Sequence, residues 1–164
     1  GIPYLAGLIR PWEIAKGWIG HALAFGYPDT AADRCVYPAT KTDGDSSLLY
    51  AIPEGAHLQL DPSLTEADFN RMGLSNTGKI IARALQEFGM VLVDTSGQPK
   101  IYVEDLKSNP YQDVSWSDPE LNLTNKTIAN IPFSSFRVIK LPEAYWNPGV
   151  GTATNGDCYA YPNR

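Results

Sequence analysis

The sequence predicts a sheet-dominated α+β fold, a β-sandwich or jelly-roll-like body with two helices packed on it. Three observations point there. Six short apolar or alternating runs read as strands, and only two segments have a clear helical signature. Three of the strand runs (18–26, 35–37 and 56–61) also come before any long helix, whereas a parallel α/β sheet would alternate strand and helix regularly.

Pro11 to Lys16 forms a short helix, with Pro11 suited to the first turn and Gly17 to the stop. From Trp18 to Gly26 the alternation places Ile19, His21, Leu23 and Phe25 on one strand face and strips the other to Gly20, Ala22, Ala24 and Gly26, so something bulky must lie there. Cys35 to Tyr37 is a short strand ending at Pro38, and residues 41–55 read as a surface loop. In 56–61, Leu58 and Leu60 point inward while His57, Gln59 and Asp61 point outward. Thr65 with Asp68 forms a capping box, Leu64 staples to Phe69, and the helix ends near Gly73. From Thr77 to Phe88 an apolar stripe of Ile80, Ile81, Ala84, Leu85 and Phe88 marks a core-facing helix that Gly89 stops. Met90–Asp94 and Ile101–Glu104 read as a hairpin, residues 106–130 as a long polar excursion, and Phe136–Leu141 as the last strand. A single domain over 1–142 and an irregular tail over 143–164 follow.

With 164 residues, 43% of them hydrophobic and 19% charged, the chain can build one packed core. A net charge of −5 with scattered basic residues argues against a nucleic-acid partner, and no run reaches the ~18 apolar residues of a membrane span. The opening Gly1-Ile2-Pro3-Tyr4-Leu5 has no signal-peptide features and reads as a cut start, from which a leader or a larger upstream piece has been removed. Cys35 and Cys158 are expected to form a disulfide that clamps the tail, worth roughly 4–5 kcal/mol on the loop-entropy model. Back-to-back sequons begin at Asn122 and Asn125 and, with the cysteines, predict a secreted glycoprotein.

The string Gly73-Leu74-Ser75-Asn76-Thr77-Gly78-Lys79-Ile80 approaches a phosphate-binding loop. Ile80, however, replaces the hydroxyl that would hold magnesium, and a helix rather than a strand precedes the glycine. Nucleotide binding is therefore a minor alternative. Asp43-Gly44-Asp45 lacks the remaining ligands of a calcium loop, so no metal and no cofactor is expected. Glycoside chemistry needs two carboxyl groups at a set spacing, and the candidates are Glu13, Asp61, Asp94, Glu104 and Asp105. The site bets are His21, Asp94 and Glu104 as catalytic groups, with Trp18, Tyr37, Tyr145 and Trp146 as rings on which a sugar stacks.

The strings GIPYLAGLIRPWEIAKGWIGHALAF, YPATKTDG, IPEGAHLQLDP, ARALQEFGMVLVD, YVED and FSSFRVIKL resemble the second half of a family of secreted, largely uncharacterised, β-rich proteins of actinobacteria and other bacteria, extending to fungi. The resemblance covers residues 1–141. It implies an extracellular protein preceded by a further β-rich segment, and it assigns no catalytic residue. Lys41 stands near a place where relatives have His, a departure from the pattern. The expected function is a secreted carbohydrate-active protein that acts on or binds an extracellular polysaccharide. The rival is a non-catalytic structural or assembly module whose bare strand face packs on a missing N-terminal segment or a neighbouring chain.

Overall fold

The helix that anchors the core begins where Ser75 accepts a hydrogen bond from the Gly78 N–H, and its apolar stripe turns Ile81, Ala82, Ala84 and Leu85 inward. In the computed structural model, which describes residues 2–108, 114–139 and 145–146, this helix is α3, Asn76–Glu87. Before it come α1, Pro11–Lys16, and α2, Glu66–Arg71, whose Thr65 and Asp68 form the expected capping box.

The strands are β1 Leu23–Tyr27, β2 Thr30–Cys35, β3 Ile52–Glu54, β4 His57–Leu60, β5 Met90–Thr95, β6 Lys100–Ile101, β7 Phe136–Val138 and β8 Tyr145–Trp146. Five of them make one mixed sheet in the order β6-β1-β5-β4-β7, and the others make a smaller sheet in the order β3-β2-β8. The fold is thus mixed α/β. Leu23, Phe25, Leu58, Leu60, Met90 and Leu92 from the large sheet meet Phe69, Ile81 and Leu85 from the helices in one core. Gly55, between β3 and β4, donates to the Leu92 carbonyl and so ties the small sheet to the large one.

Three expectations are corrected. The hairpin of 90–94 with 101–104 does not form: β5 has β1 on one side, in parallel, and β4 on the other. A central strand has no free edge, so β6 pairs with the outer side of β1 instead, Phe25 opposite Ile101. The strand expected from residue 18 begins only at Leu23, because Gly17 in a left-handed conformation ends α1 and the Trp18 ring folds back over Gly20. The loop expected over 41–55 contains β3, which pairs in parallel with β2. Alternation in β4 stands as read, with Leu58 and Leu60 buried and His57 and Gln59 half-buried.

The bare face of β1 receives the chain's own first residues. A short 3-10 turn, Tyr4–Ala6, leads to Gly7, whose carbonyl accepts from the Ala24 N–H at 2.9 Å. A side chain on Gly7 would overlap the backbone of Ala24, so glycine is what permits this approach. The cover is incomplete: a cavity of about 210 Å³ remains between Pro3, Ala6, Ala24 and Val93. Among the described residues no helix is long and apolar enough to cross a membrane.

Candidate functional site

Five segments that are distant in sequence deliver acids and phenols to one end of the parallel β1–β5 pair. The edge of β2 carries the segment 42–46: Thr42 Oγ1 donates to the Ala31 carbonyl at 2.8 Å and the Ser46 N–H to the Thr30 carbonyl at 3.0 Å. This fixes Asp43. Its N–H donates to Glu54 Oε1 at 3.2 Å, and its own Oδ1 accepts from the Thr95 N–H at 3.2 Å. Glu54 closes β3 and is only 2% exposed. Asp94 comes from the end of β5 and accepts from the Tyr102 hydroxyl at 2.7 Å. Tyr102 reaches it by crossing Gly26, where any side chain would stand 2.9 Å from the Tyr102 oxygen. The fifth member, Tyr4, meets Tyr102 edge to face at 5.1 Å between centroids, which sets its phenol beside Asp94.

The electrostatics follow from burial and crowding. Burial first, and then the hydrogen bond and charge of Asp43, raise Glu54 to about 8, so at neutral pH this carboxyl holds its proton. Partial burial opposes ionisation of Asp43 too. Hydrogen bonding with Glu54, Asp94 and the Thr95 N–H outweighs it and holds Asp43 below the usual carboxylate range. Burial, together with the hydrogen bond and charge of Asp94, pushes the phenols of Tyr4 and Tyr102 up, so both remain donors. One carboxyl acid, an ionised neighbour and a phenol-bound third carboxyl lie in contact. The exposed member is Asp43 and the rim is Tyr4, 40% exposed. Such a group can take up and release a proton at Asp43 while Glu54 stores it. The hydroxyl of Thr95 beside it is buried and has no hydrogen-bond partner among the described residues. No group of three or more His, Cys, Asp or Glu among the described residues is arranged to hold a metal ion.

Of the residues expected from sequence, Asp94 stands in this cluster and His21 stands in another. His21 Nε2 lies 3.0 Å from Glu13 Oε1, and its Nδ1 lies 2.9 Å from the Ala22 carbonyl. Glu13, also 2% exposed, accepts from the Arg10 N–H at 2.9 Å. Both ring nitrogens of His21 are thereby engaged. Glu104 joins neither cluster: its N–H donates to the Ile9 carbonyl and its carbonyl accepts from Trp116 Nε1 at 2.9 Å. Trp18 is half exposed, edge-on to Phe88, with the Lys16 ammonium 5.6 Å from its ring. Tyr37 is 67% exposed and follows β2, whose Cys35 is paired with Glu54. The backbone of Tyr145 and Trp146 pairs with Cys35 and Arg34. Cys158, and with it the expected disulfide, lies outside the described residues. Asn122 and Asn125 are both exposed. The phosphate-loop-like string starts in the turn after α2 and runs into the first turns of α3, and Lys79 pairs with Glu66 at 2.7 Å.

Asp43, Glu54, Tyr4 and Tyr102 were not singled out as site residues by the sequence reading. The segments YPATKTDG, IPEGAHLQLDP, ARALQEFGMVLVD, YVED and GIPYL contribute one member each, and that coincidence was the available signal. Compared with known proteins, the chain matches no family model, no curated protein and no solved structure.

Proposed function

We propose that the protein is a secreted carbohydrate-active protein that acts on an extracellular polysaccharide, with Asp43, Glu54 and Asp94 as its proton-handling centre. The observation that carries this reading is the buried carboxyl of Glu54, whose Oε1 accepts from the backbone N–H of the exposed Asp43 at 3.2 Å and which burial and the Asp43 carboxyl together push up to about 8. The chemistry that suits the two carboxyls is proton transfer at a single point: Asp43 meets the substrate and Glu54 acts through it. Tyr4 offers an exposed ring beside the dyad, a surface on which a sugar can stack. Secretion, the clamp of Cys35 with Cys158, sugar on Asn122 and Asn125, the sandwich arrangement of the two sheets and kinship with the secreted bacterial family all belong to this proposal.

The test is a polysaccharide panel read by reducing ends and by Tyr and Trp fluorescence, with Glu54→Gln alongside. Turnover that changes its pH profile in Glu54→Gln supports the reading. A panel with neither product nor quenching sinks it. The rival, a non-catalytic assembly module, is favoured by one feature, the exposed run Leu48, Leu49 and Tyr50, of which Leu49 is 97% exposed. It predicts self-association or partner capture that is lost when Leu49 becomes Ser.

A further inference from the structure

The strap that covers β1 changes character at Gly7. From Gly7 onward it is built into the sheet: the Gly7 carbonyl accepts from the Ala24 N–H at 2.9 Å, the Ile9 N–H donates to the Tyr102 carbonyl at 3.2 Å, and both residues are buried. Before Gly7 it is not. Pro3, Tyr4, Leu5 and Ala6 are all exposed, and the turn they form closes on itself, the Ala6 N–H donating to the Pro3 carbonyl and the Gly7 N–H to that of Tyr4. Among the described residues the one hydrogen bond that this turn's backbone receives from outside it comes from Arg10, whose guanidinium donates to the Leu5 carbonyl at 2.6 Å. Arg10 also reaches the Leu8 carbonyl, on the fixed side of Gly7, at 3.4 Å. Beneath the turn lies the cavity of about 210 Å³, so its inner side lacks the close packing that holds a segment down.

Tyr4, the first residue of the 3-10 turn, is also the ring at the mouth of the carboxyl cluster. Its phenol is near enough to Asp94, Asp43 and Glu54 for each to bear on it, and its ring meets that of Tyr102. A segment with few buried contacts and a single outside tie opens at little cost, and it turns about its first fixed point. We propose that residues 2–6 are a lid that swings about Gly7 and lifts Tyr4 off the cluster to admit substrate to Asp94 and Glu54, with Arg10 as its latch. The proposal rests on the carboxyl cluster being the functional site. Closure returns the Tyr4 ring to the cluster and keeps water from the carboxyls while the substrate is bound.

Carbon-13 relaxation dispersion at the tyrosine Cζ atoms of the full chain tests it, because a ring flip leaves Cζ in place and only displacement of the ring is read. Tyr4 is assigned by its absence from Tyr4→Phe. The expected result is microsecond-to-millisecond exchange at Tyr4 and none at Tyr27, which stacks on Phe133. Arg10→Gln, which removes the charged latch, should raise the open population about three- to tenfold. Tyr4→Ala, at an exposed position, uncovers the cluster and should lower the Glu54 carboxyl midpoint by about one pH unit in a carboxyl carbon-13 titration. A Tyr4 signal without exchange in the native chain overturns the proposal, as does an open population that Arg10→Gln leaves unchanged. So does a Glu54 midpoint that Tyr4→Ala does not move, and this arm keeps the test open should Arg10→Gln fail to fold. Every readout is taken without polysaccharide, so a panel that sinks the polysaccharide reading leaves them decisive, and their own failure leaves that reading standing.

Discussion

Glu13 and Glu54 are the same residue type at the same burial, each 2% exposed, and they do opposite things. Glu13 lies in the first turn of α1, where it accepts from the Arg10 N–H and faces His21. It is held there by donors at the start of a helix. Glu54 ends a strand, with Asp43 against it and Asp94 close by. There the environment favours the neutral acid. A buried carboxylate among donors is an anchor, and a buried carboxyl among carboxylates is a proton store.

The largest effect that could break this contrast is at the anchor. Glu13→Ala should cost about 3–5 kcal/mol, because it leaves His21 and the Arg10 N–H without their acceptor. That should lower Tm by roughly 10 °C. A loss under about 1 kcal/mol in a thermal or urea melt would mean that Glu13 anchors nothing.

At the store the sign reverses, and pH exposes it. Because folding raises the Glu54 carboxyl to about 8, the native state holds more protons than the unfolded chain between the ordinary glutamate value and about 8. The stability linked to Glu54 is therefore full at low pH, declines through that window and is gone above it. Asp43 is lowered, so its contribution runs the other way, present above the usual carboxylate range and lost as pH falls through its folded value. Glu54→Gln keeps the hydrogen bonds without the titration. Relative to the native chain it should gain on the order of 2–3 kcal/mol between pH 5 and pH 9 in urea melts. An unchanged difference across that range would remove the proton store.

Smaller changes sharpen the same picture. Tyr102→Phe takes a donor from Asp94 and should cost about 1 kcal/mol at pH 7. Thr95→Val replaces the buried hydroxyl that has no partner among the described residues and should be neutral or stabilising by up to about 1 kcal/mol, measured by denaturant midpoint. A clear loss there would reveal a contact for the Thr95 hydroxyl.

The anchor side was far more legible in the sequence than the store. Capping chemistry is local: Thr65 and Asp68 announce α2 from three residues apart, and Pro11 with Gly17 brackets α1. Alternation likewise placed Leu58 and Leu60 in the core. Strand order is not local. Whether β6 pairs with β5 or β1 depends on which edge remains free after β1 and β5 have met, and short apolar runs do not encode that choice. The cluster had the same difficulty. Asp94 was within reach of sequence reasoning as a carboxylate at a strand end, but Glu54 sat in what reads as a loop. The requirement for bulk over Gly26 was visible, yet nothing in the alternation says that the bulk is Tyr102. His21 shows the same limit: the alternation put it on a strand face, but it precedes β1 in a bend, and its partner Glu13 comes from the preceding helix.

The central claim is that Glu54 is a neutral acid at physiological pH. Carbon-13 NMR titration of a chain labelled at the glutamate carboxyls, with Glu54→Gln used to assign the signal, reads that directly. The account predicts one glutamate resonance with a midpoint at about 8 that is absent from the variant. A Glu54 signal that titrates in the ordinary range of about 4–5 would contradict it.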